Sequence, residues 1–154
     1  MVNGTRCVAE GSEPLLIYSD IERIRALYLR SGRYFPVRNA VKQIHGLDMY
    51  GVTKRIYWAD HGTDHSGVYS VELNGDDLQP VVNTGLKMPE DVAIDPIGQN
   101  IYISDSSLSK IIVCKLDGTV CSVLLYNLSA PRAIALNPEG GYMYWTEWSH
   151  KVRL

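Results

Sequence analysis

The hexapeptide RIYWAD, residues 55–60, places two aromatic side chains together with an acid two residues later. Such a group could line a sugar or nucleobase site, or form the pleated middle of a buried strand. The choice follows from recurrence. NIYISD spans residues 100–105, YMYWTE spans 142–147, and a weaker copy, LLIYSD, spans 15–20. Tyr57 and Tyr102 lie 45 residues apart, Tyr102 and Tyr144 lie 42 apart, and Tyr18 lies 39 before Tyr57. Spacing of this kind marks a repeated structural unit.

The segments between the copies repeat as well. PEDVAIDPIGQN (89–100) matches PRAIALNPEGGY (131–142). KQIHGLDMYGVT (42–53) is a fainter version, in which Asp48 takes the place of Asp95 and Asn137. VYSVELNGDDLQPVV (68–82) aligns with IIVCKLDGTVCSVLL (111–125), and RALYLRSGRYFPV (25–37) is the weakest copy. Each unit reads as four short strands. The Tyr-aromatic hexapeptide is the inner strand, two strands form a hairpin around Asn-Gly or Asp-Gly, and an alternating run such as DVAIDP is the fourth. ERIRALYLRS (22–31) comes nearest to a helical pattern, but its place in the repeat makes it a strand.

A four-stranded unit every ~40 to 45 residues is the signature of a propeller blade. One blade cannot bury both of its faces, so neighbours must stack on it. The count is fourteen strands: three sets of four, then YMYWTE and KVRL (151–154). The expected fold is all-β, a partial β-propeller of about three and a half four-stranded blades. Such a count cannot close a ring and the last unit stops at Leu154, so a fragment with open edges is expected.

The 154 residues suit one ordinary domain. Fifteen basic against 17 acidic residues, scattered and net −2, argue against nucleic-acid binding. No apolar run reaches the ~18 residues of a membrane span, and the first fourteen residues lack the apolar core of a signal peptide. A secretion signal or membrane anchor is therefore expected outside this chain. Ten Tyr, three Trp and one Phe suit half-buried sheet faces, because tyrosine buries a ring and keeps a hydroxyl for a partner.

Asp60, His61, Asp64 and His65, in DHGTDH, look like a metal cluster. Yet HxxxH grips one ion well when a helix sets both rings on one face. This segment joins two predicted strands and contains Gly62, so a solvated loop is the simpler reading, and no metal or cofactor is expected. Cys114 and Cys121 flank Asp117-Gly118. If those two residues form the turn, the cysteines face each other across the hairpin within bridging distance. A bulged turn would shift the register by one and leave two free thiols. Asn127-Leu-Ser and Asn3-Gly-Thr are glycosylation sequons, with Asn127 in a predicted loop before Pro131. No GxSxG, P-loop or post-strand GxGxxG is present and no nucleophile–base pair stands out, so no enzyme is expected. Asp48 and Asp95 are read as turn and capping residues.

YWAD (57–60) and YWTE (144–147) resemble the Tyr-Trp-Thr-Asp signature of low-density lipoprotein receptor class B repeats. These build six-bladed propellers in lipoprotein receptors, yolk-protein receptors, Wnt co-receptors, nidogen and the epidermal growth factor precursor. PRAIALNPEGGYMYWTEWSHKVRL (131–154) and PEDVAIDPIGQNIYISD (89–105) resemble the blocks that join one blade to the next. CVAEGSEPLLIYSDIERIRALYL (7–29) resembles the junction between an epidermal-growth-factor-like module and a propeller. The resemblance implies that residues 1–13 end such a module, with Cys7 paired to a cysteine upstream of this chain, and that 14–154 form incomplete propeller blades. It also implies a structural role for the signature residues Tyr18, Asp20, Tyr57, Trp58, Asp60, Tyr102, Asp105, Tyr144, Trp145 and Glu147, whose acids and aromatics tie adjacent blades. Ile103 and Ser104 depart from the signature, the first copy lacks both Trp and Thr, and Glu147 must reach further than an aspartate.

The function implied is that of a non-enzymatic extracellular segment of an endocytic receptor. The receptor would sit at the outer face of the plasma membrane and in endosomes, held by a single membrane segment absent from this chain. The propeller would act as a scaffold and a docking surface for a protein ligand, lipoprotein or yolk protein, or for neighbouring receptor modules. His61, His65 and His150 are the candidates for acid-dependent release, since histidine changes charge across the endosomal range. The alternatives are a Wnt co-receptor or matrix-protein propeller, and a metal-dependent lactonase-like hydrolase, because DPxG followed by IY also occurs there.

Overall fold

The computed structural model describes residues 13–39, 43–62 and 66–148. These residues form thirteen strands and no helix. Sheet I holds β1 (Leu15–Asp20), β2 (Arg23–Tyr28) and β3 (Tyr34–Arg38). Sheet II holds β4 (Ile44–Tyr50), β5 (Arg55–His61), β6 (Ser66–Glu72) and β7 (Gln79–Val82). Sheet III holds β8 (Pro89–Asp95), β9 (Asn100–Asp105), β10 (Lys110–Lys115) and β11 (Ser122–Leu125). Sheet IV holds β12 (Pro131–Asn137) and β13 (Tyr142–Glu147). All pairings are antiparallel between chain neighbours. The sheets stack as consecutive blades of a partial propeller. KVRL lies outside the described residues.

The phase of the repeat differs from the one expected. The alternating run does not close its own unit; it opens the next sheet, so β4, β8 and β12 are the inner strands and the hexapeptides are second. Tight turns decide this. Residues 51–54 fold β4 directly onto β5, and 96–99 fold β8 onto β9, while the longer 83–88 segment crosses between sheets. An isolated hexapeptide is compatible with either phase; the turn lengths are not.

Within β5, alternation sends neighbouring aromatics to opposite faces. Tyr57 packs with Val92, Ile94, Ile101 and Cys114 toward sheet III. Trp58 packs with Ile24, Ala26, Val37 and Ile56 toward sheet I, and stacks on Tyr69 at 5.9 Å. Each burial contributes on the order of 2–3 kcal/mol. Tyr57 is 4% exposed and Trp58 1%, whereas their counterparts Tyr144 and Trp145 are 59% and 39% exposed. Sheet IV has a neighbouring sheet on one side only among the described residues, so its second face lacks a cover.

Both hairpin turns are bulged, against the two-residue turn expected at Asp117-Gly118. The Gly118 amide donates to the Lys115 carbonyl (2.9 Å), and the Lys115 amide to the Thr119 carbonyl (3.1 Å). Gly75, Glu72 and Asp76 repeat the pattern. This is a type I turn closed by a left-handed glycine, with φ of +78° at Gly118 and +89° at Gly75. A second irregularity at Val120, φ +44°, restores the register. Val113 then faces Ser122, and Cys114 is bonded to Cys121 across a Cα–Cα distance of 4.1 Å. The two glycines also sit where blades touch: a Cβ at Gly118 would run into Val81, 2.7 Å from its carbonyl carbon, and one at Gly75 into the Val37 carbonyl.

Candidate functional site

Each inner strand bulges near its first residue: between Ile44 and Leu47, Pro89 and Asp91, and Pro131 and Ile134. A bulge leaves one residue unpaired and re-aims its side chain. The residues so presented are His45, Glu90 and Arg132, one from each of three successive blades. His45 Nδ1 lies 3.3 Å from Glu90 Oε2, and Arg132 Nη1 lies 3.5 Å from the same oxygen. Ser106 Oγ donates to Glu90 Oε1 at 2.6 Å, which helps to hold a carboxylate that is only 8% exposed. His61, at the end of β5, sets Nδ1 at 3.0 Å from His45 Nε2, the rings edge to face. Arg132 also covers the Trp148 ring at 4.6 Å.

Protons on this pair can be counted. With His45 neutral and Nδ1–H turned to Glu90, its Nε2 accepts from His61 Nδ1–H. One added proton, on His61 Nε2, leaves that bond in place. A second proton sets two N–H groups against each other and breaks it.

Below this row, two carboxylates join blade to blade. The Ile94 amide donates to Asp48 Oδ2 and the Ile134 amide to Asp91 Oδ2, both at 2.8 Å. Met49 and Val92 amides hold the other oxygens, at 2.7 and 2.9 Å. Burial raises the Asp91 pKa, and the charge of Asp48 adds to this, against the opposing pull of the Ile134 and Val92 amides. The pairs 45–90, 48–94, 90–132 and 91–134 advance together, so the inner strands run in one direction. Asp48 therefore does not occupy the place of Asp95 and Asn137. Tyr50 does, since Tyr50, Asp95 and Asn137 pair with Arg55, Asn100 and Tyr142. Asp95 and Asn137 shape turns, accepting from the Ile97 and Gly140 amides at 2.9 and 3.1 Å.

The signature acids lie at the ends of the second strands. Asp105, fully buried, accepts from the Lys87 (2.7 Å), Met88 (3.2 Å) and Leu108 (2.9 Å) amides, pinning the crossover from sheet II to sheet III. Glu147 accepts from Ser129, which stands at the place of Lys87, at 2.6 Å, and from Trp145 Nε1 at 3.0 Å. Asp60 accepts from the Gly62 amide at 3.0 Å. Asp20 pairs with Arg23 and Arg25 inside its own sheet, at 3.3 and 3.5 Å. Tyr18 is 36% exposed on β1, and Tyr102 is half-buried against Ala93, Ile111 and Ile134. Ser104, in the departing copy, donates to the Arg132 carbonyl at 2.5 Å and so links sheet III to sheet IV.

Asn127 is exposed, with φ +58°, in the loop after β11. Asn3, Cys7, Asp64, His65 and His150 lie outside the described residues. Among the described residues no group of three or more His, Cys, Asp or Glu side chains is placed to hold a metal ion. Sequence reasoning misses His45, Glu90 and Arg132. Aligning Asp48 with Asp95 displaces β4 by two residues and sets His45 against Val92, which hides the charged row; the 45- and 42-residue spacing of Tyr57, Tyr102 and Tyr144 carries His45 onto Glu90 and Arg132.

Residues 54–96 match the family described as low-density lipoprotein receptor repeat class B. This chain carries class B repeats. It is 35% identical over 155 residues to vitellogenin receptor Yl of Drosophila melanogaster, across 95% of this chain and 8% of that protein. It is 37% identical over 144 residues to low-density lipoprotein receptor-related protein 5 of Mus musculus, across 92% of this chain and 9% of that protein. The chain thus spans under a tenth of these relatives. Among solved structures, a chain of a nidogen–laminin complex is similar with a TM-score of 0.78 and 30% identity, over 87% of this chain and 52% of that one. A TolB-like protein of Agrobacterium tumefaciens, with a TM-score of 0.66 and 14% identity over 87% of this chain and 55% of that one, shares the fold alone. The class B propeller accounts for the sheet stacking and for the repeated aromatic–acid words.

Proposed function

We propose that this chain is an extracellular propeller segment of an endocytic receptor for lipoprotein or yolk protein. Its likeness to the fly vitellogenin receptor over 95% of its length carries the reading. The propeller serves as a scaffold, and the end that carries His45, Glu90 and Arg132 docks a protein ligand or a neighbouring receptor module. Acid releases it, through a second proton on the His45–His61 pair. The pair faces Glu90 and, beyond it, Arg132, with Asp48 and Asp91 on the same inner strands. His65 and His150 extend the candidate set, Asn127 and Asn3 are glycan acceptors, and Cys7 belongs to a preceding epidermal-growth-factor-like module. The receptor works at the cell surface and in endosomes. The test replaces His45 and His61 with Gln in the intact receptor and measures ligand retained at neutral and mildly acidic pH. Retention at acid pH is expected; release equal to that of the unmodified receptor refutes the role of this pair. A matrix-type propeller is the second reading, favoured by the likeness to nidogen solved with laminin. Internalisation of bound ligand by cells that display the intact protein separates the two.

A further inference from the structure

The opposite end of the blades carries a cleft of about 600 Å³ between sheets II and III. Tyr50, Tyr57, Arg55, Glu72, Asp77 and Asp117 line it, over a floor that includes Val81 and Leu116. Its volume falls in the range of ligand sites, roughly 300–1,000 Å³. Tyr57 is 4% exposed and Tyr50 9%, so both rings are buried, while their hydroxyls open into the cleft and bond to no protein group among the described residues. The charge balance is three carboxylates against one guanidinium. That guanidinium is committed: Arg55 donates from Nε to Ser70 Oγ (2.9 Å), from Nη1 to Asp77 Oδ2 (2.8 Å) and from Nη2 to the Asp77 carbonyl (2.6 Å). Glu72 and one oxygen of Asp117 are left facing the cleft as acceptors, the other Asp117 oxygen being held by Thr119.

We propose that this cleft binds a lysine side chain of a partner polypeptide, its ammonium group held by the Tyr57 and Tyr50 hydroxyls with Glu72 and Asp117. An ammonium group carries three donors and no acceptor, and here it meets two phenol oxygens and unspent carboxylates. The tyrosine rings and Leu116 take the aliphatic stem, and the ring faces favour a cation. Burial, then the nearby Tyr50 and Asp117, raise the Tyr57 pKa against the pull of Arg55, so the phenol keeps its proton and accepts through its oxygen lone pairs. The site is independent of the receptor reading and lies at the end away from His45.

The probe is Nα-acetyl-lysine amide, titrated into the intact protein while the Tyr50 and Tyr57 ring resonances are followed by NMR. Saturable shifts at millimolar concentration are expected, with none from Nα-acetyl-norleucine amide or glucose. Tyr57→Phe should weaken binding about tenfold or more, as expected for loss of a bond to a charged group. Its melting temperature should not fall, because that hydroxyl has no protein partner among the described residues. Glu72→Gln, exposed and remote from the core, should weaken binding as well. Equal binding of norleucine amide or glucose, unchanged affinity in both variants, or no shift at tens of millimolar lysine amide would overturn the proposal.

Discussion

Gly46 is the residue on which the spacing of sheets II and III depends. A Cβ added there would lie 2.6 Å from Asp91 Cα and 2.8 Å from Asp91 Cγ, besides meeting its Oδ1. The carboxylate could swing away; the backbone carbon cannot unless β8 moves. Restoring ordinary separation requires the two inner strands to part by about 1 Å, since carbon atoms settle roughly 3.5–4.0 Å apart. That movement stretches the Ile94–Asp48 bond, now 2.8 Å, and the His45–Glu90 ion pair, now 3.3 Å. Overpacking costs about 1–3 kcal/mol, and weakening a bond to a charged acceptor adds about 1.5–3 kcal/mol. Gly46→Ala should therefore destabilise the fold by about 3–5 kcal/mol, a fall of roughly 10 °C in Tm for a chain of this size. Urea denaturation followed by tryptophan fluorescence measures it, with Gly51→Ala as the control, where an added Cβ meets nothing within 4 Å. A difference between the two variants under about 0.5 kcal/mol, within ordinary surface-substitution scatter, refutes this account of blade spacing. Adding Asp91→Ala should not fully rescue Gly46→Ala, because the clash with the backbone carbon of residue 91 persists.

Three further outcomes follow from the same geometry. Asp105→Asn keeps one acceptor for three amide donors and should cost about 2–3 kcal/mol, read as a lower urea midpoint with unchanged slope. Replacing Cys121 with Ser should remove about 2 kcal/mol, the loop-closure value for a separation of 7, and should abolish the mass difference between alkylated oxidised and reduced chains. Asp91, whose pKa is raised in the fold, binds its proton more tightly when folded. Wild type should therefore gain stability relative to Asp91→Asn as pH falls from neutral through that raised value toward the ordinary 3.8, and level off below it. A gap that narrows on acidification contradicts the sign.

The repeat, the strand identity of each segment among the described residues and the class B family were legible because alternation and turn residues act locally. RIYWAD, NIYISD and YMYWTE carry the same period-2 pattern wherever they sit, and Asn-Gly and Asp-Gly mark turns by the backbone freedom of glycine alone. The Cys114–Cys121 pairing was half legible: a seven-residue separation on a hairpin allowed it, but a bulged turn forbade it until the irregularity at Val120 compensated. That second shift depends on how β11 lies against β10, which local sequence does not encode.

What only the tertiary structure decided is which residues meet between sheets. The hexapeptide became a second strand once turns 51–54 and 96–99 tied it to the run before it. Asp48 proved to be a blade-to-blade acceptor, and His45, Glu90 and Arg132 formed a row, because stacking brings the bulged starts of three inner strands side by side. Contacts within a strand or hairpin follow from the order of residues along the chain. Contacts between blades follow from stacking geometry, where a one-residue slip exchanges every partner.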